Sequence, residues 1–120
     1  IMLWSMREWL RAAIAGEAVT SWIRRGLESF GMPDLAAPMA QFMEEASAAW
    51  PERLRLHPTG CGCPVSYDEW LLLRCLTDAG RNERETFDTR LREMINLPTR
   101  NKLWRMAVQL AVAAGRPSLR

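Results

Sequence analysis

Apolar side chains recur three and four residues apart along nearly the whole chain, with polar residues between them. That is the period of an α-helix with one buried face. Met2, Leu3, Trp4, Met6, Trp9, Leu10, Ala13 and Ile14 predict a first helix from Met2 to Ala15, ended by Gly16. Val19, Trp22, Ile23, Leu27 and Phe30 predict a second from Glu17 to Phe30. Gly31 stands where a left-handed C-terminal cap is needed, and Pro33 bars continuation. The stripe Leu35, Met39, Phe42, Met43, Ala46, Trp50 predicts a third, starting near Leu35 or Pro38 and closed by Pro51.

The period then changes. Arg53, Leu54, Arg55 and Leu56 alternate with period two, the pattern of extended chain, and no second strand is evident to pair with it. His57 to Pro64 is a Gly- and Pro-rich loop. Ser66-Tyr67-Asp68-Glu69 has the form of a capping box, and a fourth helix is expected from there to Ala79, with Gly80 at its end. Asn82 to Glu85 offers a similar start to a fifth, carrying Phe87, Leu91, Met94 and Ile95. Pro98 breaks the pattern, Thr99 is placed to cap a sixth, and Leu103, Ala107, Leu110, Ala111 and Ala114 form its inner face, with Gly115 and Pro117 closing it. The expected fold is all-α: one compact domain over residues 1–120, a bundle of five to six helices with an irregular Gly/Pro/Cys loop between the third and fourth.

The first helix stands apart because apolar residues cover most of its circumference, broken only by Arg7, Glu8 and Arg11. Such a helix is either central in a core or docked on another protein. An end segment is rarely the centre of a small core, and Trp, Met and Arg are favoured at interfaces. Residues 1–15 are therefore expected to form a docking helix. Leu3, Trp4, Met6, Trp9 and Leu10 would contact a partner protein or a second copy of the chain.

Charge adds little to this picture. Sixteen basic residues against fourteen acidic ones leave a net charge of +2 over 120 residues, too weak a field to hold a polyanion. Helices five and six resemble a helix-turn-helix in outline, with Arg100 and Lys102 facing outward and Arg116 and Arg120 following. Glu83, Glu85, Asp88 and Glu93 would repel DNA, so nucleic acid is not the expected partner. No apolar run approaches the ~20 residues of a membrane span. The N-terminal residues lack the features of a signal peptide, which points to a reducing, cytoplasmic setting. No phosphate loop, nucleophile elbow, zinc-protease helix or dinucleotide fingerprint occurs, and a non-enzymatic role is expected.

The stretch with chemistry to offer is His57 to Pro64. It holds the only His and two of the three Cys, Cys61 and Cys63, with Cys75 twelve residues on. Three Cys and one His make a known structural zinc set, so His57, Cys61, Cys63 and Cys75 are candidate metal ligands that would staple the loop to helix four. The C-x-C spacing departs from the usual C-x₂₋₄-C, and Cys75 lies on an apolar helix face where a thiol acts as a small hydrophobe. A redox alternative joins Cys61 to Cys63, with Cys75 as the resolving thiol.

Gly31, the close Cys pair followed by Pro64, the Ser66-Tyr67-Asp68-Glu69 start with Leu71-Leu72 behind it, and Ala114-Gly115-Arg116-Pro117 together give the chain a resemblance. It resembles a family of short alphaproteobacterial all-helical proteins of no assigned activity. Members carry adjacent cysteines, whereas Gly62 separates them here. The resemblance implies a single helical domain. Taken together, the sequence predicts a small accessory or protein-interaction chain, with a zinc domain as the alternative.

Overall fold

The computed structural model describes residues 1–115. Arg116, Pro117 and Arg120 lie outside the described residues. Within them the chain forms six α-helices and no strand: α1 (Met2–Ala15), α2 (Val19–Glu28), α3 (Ala36–Ala49), α4 (Tyr67–Gly80), α5 (Arg84–Leu91) and α6 (Leu97–Gly115). A 3-10 turn, Pro33–Leu35, leads into α3. The all-α single bundle expected from the periodicity is what the chain adopts.

The ends follow local chemistry. Gly16 sits at φ 70°, and its N–H closes α1 on the carbonyls of Ala12 and Ala13. Two expected starts lie elsewhere. Asn82 does not open α5; it adopts φ 56° just after α4, a left-handed conformation that Asn tolerates better than most residues. Asn96, not Thr99, caps α6: its Oδ1 accepts the Thr99 N–H at 3.0 Å, and Pro98 then falls in the first turn, where its missing N–H costs nothing.

Helix α6 packs against α3 and α4, and α1 packs against α2, α3 and α4. Phe42, Phe87, Met43, Leu72, Leu103 and Leu110 are fully buried between them. Trp104 meets Phe87 edge to face at 5.1 Å.

Helix α1 is part of this core. Met6 is 0% exposed and Trp9 8%, while Leu3, Trp4 and Leu10 are half-buried against the same cluster. The expectation of a helix held out for a partner is corrected to that extent: Met6 and Trp9 face the chain's own interior. Two of its three charged residues, Arg7 and Glu8, are buried too, each with a partner, while Arg11 is exposed. Glu8 accepts the indole N–H of Trp22 at 2.7 Å and pairs with Arg11 at 3.3 Å. Arg11 in turn lies over the Trp22 ring at 4.3 Å.

The α1–α2 contact depends on one glycine. A Cβ at Gly26 would run into the six-membered ring of Trp4. Trp4 also stacks edge-on against Phe30 at 5.8 Å, so displacing it opens that contact as well. Gly26→Ala is therefore expected to lower the melting temperature. Overpacking costs about 1–3 kcal/mol, and the better helix propensity of Ala offsets only about 1 kcal/mol of it. Combining it with Trp4→Leu should restore stability, because the clash is then removed; thermal melts of the single and double variants check this.

Candidate functional site

Between α3 and α4 the chain runs through residues 51–66 without regular structure. It is held by the first turn of α4. Ser66 is the N-cap: its Oγ accepts the Glu69 N–H at 3.1 Å, and the Glu69 carboxylate accepts the Ser66 N–H at 2.9 Å. The capping box read from the sequence is formed. Glu69 does more than cap, because its side chain is 0% exposed and accepts three further bonds. Arg7 donates from Nε at 2.7 Å and from Nη2 at 3.0 Å, and the His57 backbone N–H donates at 3.0 Å. Arg7 Nη2 also reaches the Cys63 carbonyl at 3.4 Å. One buried ion pair thus ties α1, the loop and α4 together. Burial pushes the Glu69 carboxyl pKa up. The bonds from Arg7, Ser66 and His57 outweigh it and hold the value at about 2.

Asp68 fixes the same loop from the neighbouring position. It accepts the Arg55 N–H at 2.8 Å and the Trp50 indole N–H at 3.3 Å. The Ser66 hydroxyl donates to the Arg55 carbonyl at 2.6 Å. Arg55 and His57 therefore direct their main chain at α4, where side-chain groups complete it.

The alternation at 53–56 appears in the structure as alternating burial, the pattern of extended chain. Leu54 is buried and Leu56 half-buried, while Arg53 and Arg55 are exposed. In extended chain the main-chain groups of successive residues point to opposite edges. Arg55 and His57 use the α4 edge, so Leu54 and Leu56 present theirs on the other. Neither Leu54 nor Leu56 makes a main-chain hydrogen bond among the described residues. An open groove of about 380 Å³, lined by Leu10 and residues 52–56, lies beside them. A second groove of about 200 Å³, lined by Arg7, Leu10, Arg11, Ile14, Leu56, Pro58 and Thr59, shares Leu10 and Leu56 with the first. Ile14 is 68% exposed there. Of the five α1 residues expected to face a partner, Leu10 lines both grooves.

The four candidate metal ligands are not brought together. Cys61 and Cys63 are joined as a disulfide, with Cα atoms 5.2 Å apart. Cys75 is a free thiol in the core, 1% exposed. Burial, and then the charge of Asp78, raise its pKa to about 12. That environment suits a small hydrophobe and not the resolving thiol of the redox alternative. His57 lines a third groove of about 660 Å³ with Trp50, Tyr67 and Met94, which shares Glu52, Arg53 and Arg55 with the first. Among the described residues no three His, Cys, Asp or Glu side chains converge as a metal site. Glu69 and Asp68 hold the loop to α4, the part that a zinc ion would play under the alternative reading.

In the sequence pattern Arg7 appears only as an interruption of an apolar helix. It is one of three charges, with Glu8 and Arg11, in a helix otherwise apolar, and its partner lies 62 residues away. No helix among the described residues is long and apolar enough to cross a membrane. Comparisons with protein-family models, with curated proteins and with solved structures find no match.

Proposed function

We propose that this chain is a non-enzymatic protein-interaction module that takes an extended segment of another protein along the free edge of residues 52–56. The observation that carries it is the unpaired main chain of Leu54 and Leu56 beside an open groove. A strand edge with free N–H and C=O groups is a template for a further strand. Five residues of edge span about 17 Å, enough for a short peptide. The occupant is acidic and apolar by turns. Arg53 and Arg55 are exposed on the solvent face and form no ion pair among the described residues. Acidic side chains on the outer face of a paired peptide would stand opposite them, and such cross-strand pairs are favourable. Its inward side chains would fall against Leu10, Ile14 and Leu56. Helix α1 contributes its flank to this surface while its other faces build the core.

Fluorescence polarisation with a labelled peptide alternating Glu and Val, and with its Lys and Val counterpart, tests this. The acidic peptide is expected to bind, more weakly as salt rises, and the basic one to fail. Arg53→Glu with Arg55→Glu should abolish binding without lowering the melting temperature. Leu56→Pro, which removes an edge N–H, should abolish it too. Equal binding of both peptides, or of neither, would overturn the proposal.

A further inference from the structure

We propose that Cys61 and Cys63 form a surface dithiol–disulfide couple that oxidises an accessible dithiol on a partner molecule. Four features support it. First, the bridge spans residues only two apart, so it closes a three-residue ring and constrains little of the unfolded chain. Second, the loop is anchored without it. Glu69, Asp68 and Ser66 hold Arg55, His57 and Ser66 in place through their own hydrogen bonds. Breaking the bridge leaves these bonds intact. Third, the approach is open. Cys61 is exposed, Cys63 is half-buried, and both flanking glycines, at φ +80° and +67°, have nothing within 4 Å of where a side chain would begin. Fourth, the Cys63 backbone N–H points to Cys61 Sγ at 3.2 Å, a donor that supports negative charge on that sulfur.

These features order the steps. A thiolate of the partner dithiol attacks the exposed Cys61 Sγ. The Cys61–Cys63 bond breaks, and Cys63 leaves as a thiolate and takes up a proton. The second partner thiolate then attacks the partner sulfur of the mixed disulfide. Cys61 leaves, held by the Cys63 N–H until it is protonated. The partner loses two electrons and two protons to become a disulfide, and Cys61 and Cys63 gain both. Cys75, sealed in the core, takes no part.

The test uses the full chain prepared without added thiol, mixed with equimolar dithiothreitol or with a synthetic peptide carrying two reduced cysteines. Alkylation and mass spectrometry count the thiols, and circular dichroism follows the fold. Both probes should open the bridge and become oxidised while helicity is unchanged, and Cys75→Ser should behave as wild type. Faster reaction of the peptide would assign a protein dithiol, and equal rates a small one. With glutathione disulfide as probe, Cys63→Ser, which keeps Cys61, should form the mixed disulfide at least about tenfold faster than Cys61→Ser. Three free thiols in the starting protein, a bridge that yields only after denaturation, or equal reactivity of the two variants would each overturn the proposal. None of these results bears on peptide binding, so the two proposals fail separately.

Discussion

Replacing Glu69 with Ala is expected to destabilise the chain by about 3–5 kcal/mol, the cost of leaving one member of a buried ion pair without its partner. A domain of this size has about 5–15 kcal/mol in all, so the variant should be largely unfolded at modest urea concentrations. The loss is large because one carboxylate serves three elements. Removing it strips Arg7 of its counter-charge inside α1, the Ser66 N–H of its cap and the His57 N–H of its acceptor. Arg7→Met should cost nearly as much, since it leaves the Glu69 charge buried. Combining Arg7→Met with Glu69→Leu should recover a good part of the loss, because neither residual charge remains. The same group contributes to the acid limb of stability, together with Glu8 and Asp88, whose carboxyls their Arg and Trp partners also hold below the usual range. The Glu69 carboxyl titrates at about 2 in the folded chain against 4.5 unperturbed. The folded state holds its proton less tightly, so this contribution is complete above about 4.5 and is lost as pH falls towards about 2. Urea unfolding across that range should show stability falling in the wild type, and Glu69→Gln should make that slope shallower, leaving the share of Glu8 and Asp88.

Removing residues 1–15 is expected to abolish the fold. Were α1 only a docking helix, the remaining bundle would stay folded and lose a partner. In the structure α1 covers faces of α2, α3 and α4, and it carries Met6 and Trp9 into the core. Each such large side chain contributes about 1.5–3 kcal/mol by burial alone, and Glu69 would lose its cation as well. The sum reaches the whole stability of a small domain. Circular dichroism of the shortened chain should therefore show loss of most helical signal and no cooperative melt. A milder variant, Met6→Ala, should stay folded and lose about 2–5 kcal/mol in urea.

Local features were legible from the sequence because they depend on neighbours. The α1 boundaries, the Ser66–Glu69 capping box and the extended 53–56 segment all follow from residues within one turn of each other. Features that depend on distant pairing were not. The apolar circumference of α1 reads equally as a core helix or a docking helix. What decides it is Glu69, far along the chain, which lets Arg7 be buried. Asn82 misled for a related reason: its side chain suits both a helix start and a left-handed turn, and the end of α4 took it. The cysteines carried a third ambiguity. Composition placed three thiols and a His within nineteen residues, but the face of α4 on which Cys75 falls sends it into the core, away from the loop. The period-two run reads as a strand without a partner; in the structure the side chains of Asp68 and Glu69 take up one edge, and no main-chain bond among the described residues takes up the other.

Amide hydrogen exchange at Leu54 and Leu56 tests the free edge most directly. In the free chain both amides should exchange quickly, while Arg55 and His57, bonded to Asp68 and Glu69, are protected. Adding the Glu–Val peptide should slow Leu54 and Leu56 and leave Arg55 and His57 as they were. Protection of Leu54 and Leu56 in the chain alone, or peptide-induced protection confined to other parts of the molecule, would contradict a peptide seated on this edge.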